Sequence, residues 1–253
     1  MRKGILNLPA SKLPLVEHPM TANDFRDSFH WRVFRIMAEF VDGWNFLADF
    51  PKTVTFFGSA RFPEDNHWSK EARKLGKMCT KAGISVITGG GPGIMEAGNR
   101  GAVDGLEEAK LEDIENPGDS LGLNIKLPFE QRINPYVEKA VAFHYFFVRK
   151  VMLAYAAKAY IYFPGGFGTM DEWSEMVTLV QTHKIPHIPI VMIGREFWEP
   201  FNHFIKSIMF DKLKAIDADD MNLYTIVDSA AEAFEIIKKA PDRHEFAELK
   251  EHK

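Results

Sequence analysis

Two glycine-rich stretches hold the residues that could do chemistry. One is Gly89-Gly90-Gly91-Pro92-Gly93-Ile94-Met95-Glu96-Ala97; the other is Pro164-Gly165-Gly166-Phe167-Gly168-Thr169-Met170-Asp171-Glu172. Each follows a short apolar run, residues 84–88 and 159–163, that reads as a buried strand, and each opens a helical pattern. Glycines at a strand-to-helix turn let backbone N–H groups approach a ligand with no Cβ in the way. The helix start adds unpaired donors and a partial positive charge, a setting that suits phosphate. Gly90, Gly91, Gly93, Gly165, Gly166, Gly168 and Thr169 are therefore candidate ligand contacts, with Glu96 and Glu172 as the carboxylates beside them. Thr169 and Glu172 also have the spacing of a capping box, in which both side chains would only satisfy helix donors. Taken alone, that stretch leaves the two readings level. A second turn of the same kind in one chain tips the balance toward a ligand.

The paired motifs resemble the LOG (Lonely Guy) family, cytokinin-activating nucleotide phosphoribohydrolases often labelled lysine decarboxylases. The family's PGGxGTxxE signature is matched at every fixed position from Pro164 to Glu172. The Arg-Lys pair of the family's preceding helix is matched by Arg149-Lys150. The likeness spans roughly residues 53–209.

The resemblance implies hydrolysis of the N-glycosidic bond of a nucleoside 5′-monophosphate, AMP or a cytokinin riboside 5′-monophosphate, to free base and ribose 5-phosphate, without a cofactor. Breaking that bond builds positive charge on the sugar, which a fixed carboxylate stabilises while it orients or deprotonates water. The resemblance assigns that role to Glu172. Arg149, the second catalytic candidate, would bind phosphate or assist the departing base, and the sequence leaves these two open. Ser59 and Arg61, in the turn after the first strand, and Lys150 are implied substrate contacts, as is Glu130, where the family uses an acidic residue in about this region. A homo-oligomer, dimer or larger, with sites near subunit contacts is also implied.

The elements that must place these residues follow from periodicity. Residues 53–57, 84–88, 120–125, 137–143, 159–163 and 188–193 read as strands, with an edge strand within 221–227. Helices are expected over 67–82, 97–102, 144–158, 173–183, 196–209 and 229–239, the last capped by Asp228. Phe146, Phe147, Met152, Leu153 and Tyr155 are expected to lie mostly inward on the helix over 144–158. The acidic stretch 104–119 reads as solvated surface. Strand–helix alternation argues an α/β fold, a doubly wound parallel sheet of Rossmann type, in one domain over 51–240. Residues 1–22, broken by Pro9, Pro14 and Pro19, read as an extended arm, and 241–253 as a charged tail. Residues 23–50 read as a helical extension covering one edge of the core, with an oligomer contact as the alternative.

Composition narrows the function. At 253 residues with a net charge of −4, the chain shows no global footprint for nucleic acid or an anionic membrane, so an anionic substrate must be held locally. One cysteine, Cys79, excludes an internal disulfide and suits a reducing compartment; its neighbours place it inside a helix. With no signal-peptide core and no eighteen-residue apolar run, the expected location is the cytoplasm. The third glycine of a dinucleotide fingerprint and the Lys-Ser/Thr of a P-loop are missing. No lysine has a Schiff-base setting, and the histidines form no metal-binding spacing. A nucleotide sensor or carrier without turnover remains the rival from another class.

Overall fold

The computed structural model describes residues 29–126, 133–155 and 157–242. Seven strands form one parallel sheet: β1 (Thr53–Phe57), β2 (Ser85–Thr88), β3 (Ser120–Ile125), β4 (Lys139–Phe143), β5 (Ala157–Tyr162), β6 (Ile190–Ile193) and β7 (Thr225–Val227). Their order is β4-β3-β2-β1-β5-β6-β7, and every neighbouring pair runs parallel. β1, β2, β3, β5 and β6 are buried along their whole length, which is why they read as mostly apolar or small-residue runs, interrupted by Asn124 in β3 and Lys158 in β5.

Among the described residues seven α-helices cover the faces: α1 (Phe29–Leu47), α2 (His67–Lys81), α3 (Ile94–Leu111), α4 (Phe146–Tyr155), α5 (Phe167–Gln181), α6 (Arg195–Phe204) and α7 (Ala230–Lys239). On one face, Leu75 of α2, Ala102 of α3 and Ala233 of α7 pack over Val54, Val86 and Ile161. On the other, Leu47 of α1, Met152 of α4, Trp173 of α5 and Trp198 of α6 pack over Leu121, Leu123 and Tyr160. The chain winds outward from β1 in both directions, so β1 and β5 send their following helices to opposite faces. The sheet thus has its switch point between the carboxyl ends of β1 and β5, where open α/β sheets bind ligands.

Several boundaries differ from expectation. Helix α3 continues through half of the acidic stretch, because Lys81 pairs with Glu112 at 2.7 Å and Arg73 with Asp104, while Lys77 and Lys81 pair with Glu108. Gly101, expected near the helix end, lies inside it; a Cβ there would collide with the Arg73 carbonyl, so the glycine lets α2 and α3 approach closely. Ser229, not Asp228, caps α7, its hydroxyl accepting from Glu232 N–H. Asp228 instead accepts from Arg195 N–H at 2.8 Å. The helix expected over 196–209 is α6 followed by a π-helical segment, Ile205–Lys212. β4 and β7 are shorter than expected, and residues 157–158, expected in a helix, belong to β5. Phe146 and Phe147 are half-exposed, since Val148, Met152 and Leu153 form the buried side of α4. Cys79 is fully buried in α2, and burial pushes its thiol up, as expected of a packing residue.

Candidate active site

Three turns interlock at the carboxyl edge of adjacent strands β2, β1 and β5. Ser59 N–H donates to the Pro164 carbonyl at 3.0 Å, and Ile94 N–H donates to the Ser59 carbonyl at 3.0 Å. Close approach requires the glycines: a Cβ on Gly58 would meet the Ile94 side chain at 2.8 Å, and one on Gly165 would strike Thr169 Oγ1. Gly93, the N-cap of α3, has φ of 69°, a conformation that favours glycine. At the switch point the three turns thus pack closely on one another.

The first glycine turn is held from behind by a buried polar network. Gly90 N–H donates to Thr88 Oγ1 at 2.9 Å. Asn134 N–H donates to the Gly90 carbonyl at 2.9 Å, and Asn134 Nδ2 donates to the Gly91 carbonyl and to Asn99 Oδ1, both at 3.0 Å. Asn99 Nδ2 in turn donates to Ser120 Oγ at 2.9 Å on β3. In a planar trans peptide the N–H opposes the carbonyl. With the Gly90 carbonyl drawn to Asn134, the Gly91 N–H points away from it and finds no partner among the described residues. The sequence does not single out Thr88, Asn99 and Asn134: a lone polar residue in a strand, a helix or a loop carries no periodic signal.

The second turn starts α5. Its N-cap is Gly166, with no side-chain hydrogen bond, so Thr169 and Glu172 do not form a capping box. Thr169 and Glu172 are both buried, Glu172 at 4 % exposure. Glu172 Oε2 is enclosed and has no hydrogen-bond partner. Burial is the main influence on its carboxyl, whose pKa rises to about 7; Lys150 and Arg149 pull it down, and Glu175 and Asp171 push it up. A buried carboxylate left unpaired costs folding free energy, and such strained groups cluster at functional sites.

Arg149 comes from α4 on the same face of the sheet. Its guanidinium lies over Gly89, with one terminal nitrogen 3.6 Å from where a Cβ on that glycine would sit. Its Nε is buried without a partner, and its charge interacts with Glu172. Burial lowers its pKa from the usual arginine value. Arg149 of α4 and Glu172 of α5 are thus within electrostatic reach of each other, with Arg149 beside the first glycine turn. Lys150 is occupied differently: it pairs with Asp171 at 2.7 Å and Glu175 at 2.8 Å, tying α4 to α5.

The remaining candidates divide. Ser59 sits in the crevice, its Oγ accepting from Arg61 N–H at 3.1 Å. Arg61 and Glu96 line a groove of about 640 Å³ on the α2–α3 side with Lys70, Arg73 and Arg100, and Pro92 and Gly93 of the first glycine turn form part of its wall. In that groove the Arg73 and Arg100 charges are already met by Asp104 and Glu64. Glu130 lies outside the described residues.

Fold and crevice define a doubly wound α/β protein with two anion-suited turns and a buried carboxylate at the sheet's switch point. A family model described as "possible lysine decarboxylase" matches residues 95–237. The chain is 30% identical over 196 residues to the cytokinin riboside 5′-monophosphate phosphoribohydrolase LOG of Oryza sativa subsp. japonica, covering 75% of this chain and 72% of that protein. This chain belongs to the LOG family. Two structures of the molybdenum cofactor carrier protein of Chlamydomonas reinhardtii share its fold. One has a TM-score of 0.52 at 21% identity, covering 75% of this chain and 97% of that one. The other has a TM-score of 0.50 at 22% identity, with coverages of 75% and 96%.

Proposed function

We propose that this protein hydrolyses the N-glycosidic bond of a nucleoside 5′-monophosphate. The observation that carries the proposal is the buried Glu172 carboxyl, its Oε2 without a hydrogen-bond partner, in electrostatic reach of an Arg149 that lies beside Gly89 of the first glycine turn. The 5′-phosphate is held by N–H groups of the turns, Gly91 and the first turn of α5 at residues Gly166, Phe167 and Gly168. The bond from C1′ to the base nitrogen breaks, water supplies the oxygen to C1′, and the departing base gains a proton. Glu172, as carboxylate, stabilises the developing sugar cation and takes up the water proton. Arg149 offsets anionic charge on the phosphate or base. AMP and cytokinin riboside 5′-monophosphates are the proposed substrates, in line with the printed activity of the rice relative. Ser59, Gly90, Gly93, Gly165 and Thr169 shape the crevice.

We place the catalytic domain at 51–240, with a helical extension at 23–50, an arm at 1–22 and a tail at 241–253. We further propose a homo-oligomer working in the cytoplasm. Among the described residues no helix is long and apolar enough to cross a membrane.

A second reading, a carrier that binds a nucleotide-like ligand without turnover, draws on the fold shared with the molybdenum cofactor carrier proteins. The test is incubation with AMP and a panel of nucleoside monophosphates, followed by chromatography. Free base together with ribose 5-phosphate, absent in Glu172→Gln, is the expected outcome. Tight binding with the nucleotide recovered intact would favour the carrier.

A further inference from the structure

The family resemblance implies Lys150 as a substrate contact, but in the structure its side chain is already occupied. Its ammonium lies 2.7 Å from Asp171 Oδ2 and 2.8 Å from Glu175 Oε2, and only 14% of the side chain is exposed. Asp171 and Glu175 are four residues apart on α5, so they share one side of that helix, a turn apart. Glu172 lies between them in sequence, and on a regular helix it sits about 60° round from Glu175. Three carboxyl groups therefore share about a third of the circumference of α5. Against them α4 sets two adjacent cations with different duties. Lys150 takes Asp171 and Glu175, while Arg149 lies over Gly89 with its Nε unpartnered.

We infer that Lys150 is a positioning residue: by holding Asp171 and Glu175 it leaves Arg149 free for the nucleotide and Glu172 free to ionise, without itself touching the ligand. Two uncompensated carboxylates here would do two things. They would draw the Arg149 guanidinium, whose planar fork suits a carboxylate, away from the first glycine turn. They would also place negative charge beside Glu172 and oppose its carboxylate form. A lysine suits the task, because its compact ammonium can be shared between two acids. The charged groups around Glu172 are Arg149 and Lys150 on α4 and Asp171 and Glu175 on α5. From β5, Tyr162 donates its hydroxyl to the Glu172 carbonyl at 3.1 Å and stays uncharged, since burial pushes its pKa well above the usual value. Of the two cations, Lys150 has the larger pull on Glu172. The other end of α4 is held as well: Glu39 of α1 accepts from the N–H groups of His144 and Tyr145 at 2.8 and 3.1 Å.

The consequence for turnover rests on the hydrolase reading, whereas the effect on the Glu172 carboxyl does not, so two readouts separate them. The first is carbon-13 NMR of the full chain labelled at glutamate carboxyls, with the Glu172 signal identified by its loss in Glu172→Gln. Its midpoint should lie at about 7 in the wild type. Lys150→Met should raise it by about one pH unit, and Lys150→Arg should leave it nearly in place. The triple variant Lys150→Met/Asp171→Asn/Glu175→Gln, which also removes the acids that Lys150 holds, should bring the midpoint back toward the wild-type value. Asp171→Asn/Glu175→Gln, which keeps Lys150, should lower it, a test that stands even if Lys150→Met fails to fold. The second readout is the acid limb of kcat/KM for AMP, which should move in parallel while KM changes little. A Glu172 midpoint indifferent to these variants overturns the inference. So does a KM that rises in Lys150→Met and stays raised in the triple variant, the mark of a direct substrate contact. Midpoints that move as described in a protein without turnover uphold the positioning role and overturn the hydrolase reading.

Discussion

Glu172 concentrates the chemistry in one carboxyl group. Burial raises its pKa to about 7, so it loses its proton near neutrality and not in the usual carboxylate range. If the carboxylate form is the one that acts, kcat/KM should climb as pH rises through about 7. An acid limb near the ordinary glutamate value would show that Glu172 is not the titrating group. Glu172→Gln should lower kcat by about 10²–10⁴-fold while AMP affinity stays within severalfold, as read by equilibrium dialysis. The same group makes a stability prediction. Its folded pKa lies above its unfolded value, so the folded state holds the proton more tightly, and stability falls as pH rises from about 4.5 toward 7. Glu172→Gln removes that penalty. At pH 8 the variant should be more stable than wild type by on the order of 3 kcal/mol, and at pH 4 about equal, by urea unfolding. A variant no more stable at pH 8 than at pH 4 would contradict the burial argument.

At the level of elements, the site depends on turns whose backbone is fixed from behind. Asn134 draws the carbonyls of Gly90 and Gly91 away from the crevice and leaves the Gly91 N–H for a ligand. Asn134→Ala should therefore raise KM about tenfold or more with a smaller change in kcat, in keeping with roughly 1–3 kcal/mol for orphaned buried partners. Equal losses in kcat and KM-independent unfolding would mark Asn134 as a folding residue only. This scale also shows what the sequence could reveal. The glycine turns were legible because strand-to-helix punctuation is local, whereas Arg149 and Glu172 stood out through the resemblance of their motifs and not through periodicity. Thr169 and Glu172 were ambiguous between cap and site, since spacing alone cannot say whether a side chain turns back to its own helix. The structure removes the cap, because Gly166 starts α5 without a side-chain bond. Helix α3 ran past its expected end because its acidic residues are met by Lys77 and Lys81 of α2, a tertiary pairing with no trace in local charge pattern. Phe146 and Phe147 were misplaced for a similar reason: a helix apolar on several sides does not announce which side is inner.

For the whole molecule, alternation of strands and helices was sufficient to predict a doubly wound parallel sheet, and the sheet order places its switch point between β1 and β5. Helix α1 was read as a cover for the core, which half of its surface is; its outer stripe becomes visible only once burial is known. The central claim is that the crevice turns its nucleotide over and does not merely hold it. A single-turnover experiment tests this most directly: AMP is mixed with excess protein, quenched over minutes to hours, and separated into AMP, adenine and ribose 5-phosphate. Adenine and ribose 5-phosphate should appear in equal amounts up to the AMP supplied, and Glu172→Gln should leave the AMP intact. AMP that is bound by the wild type yet recovered whole would contradict hydrolysis and leave the carrier reading standing.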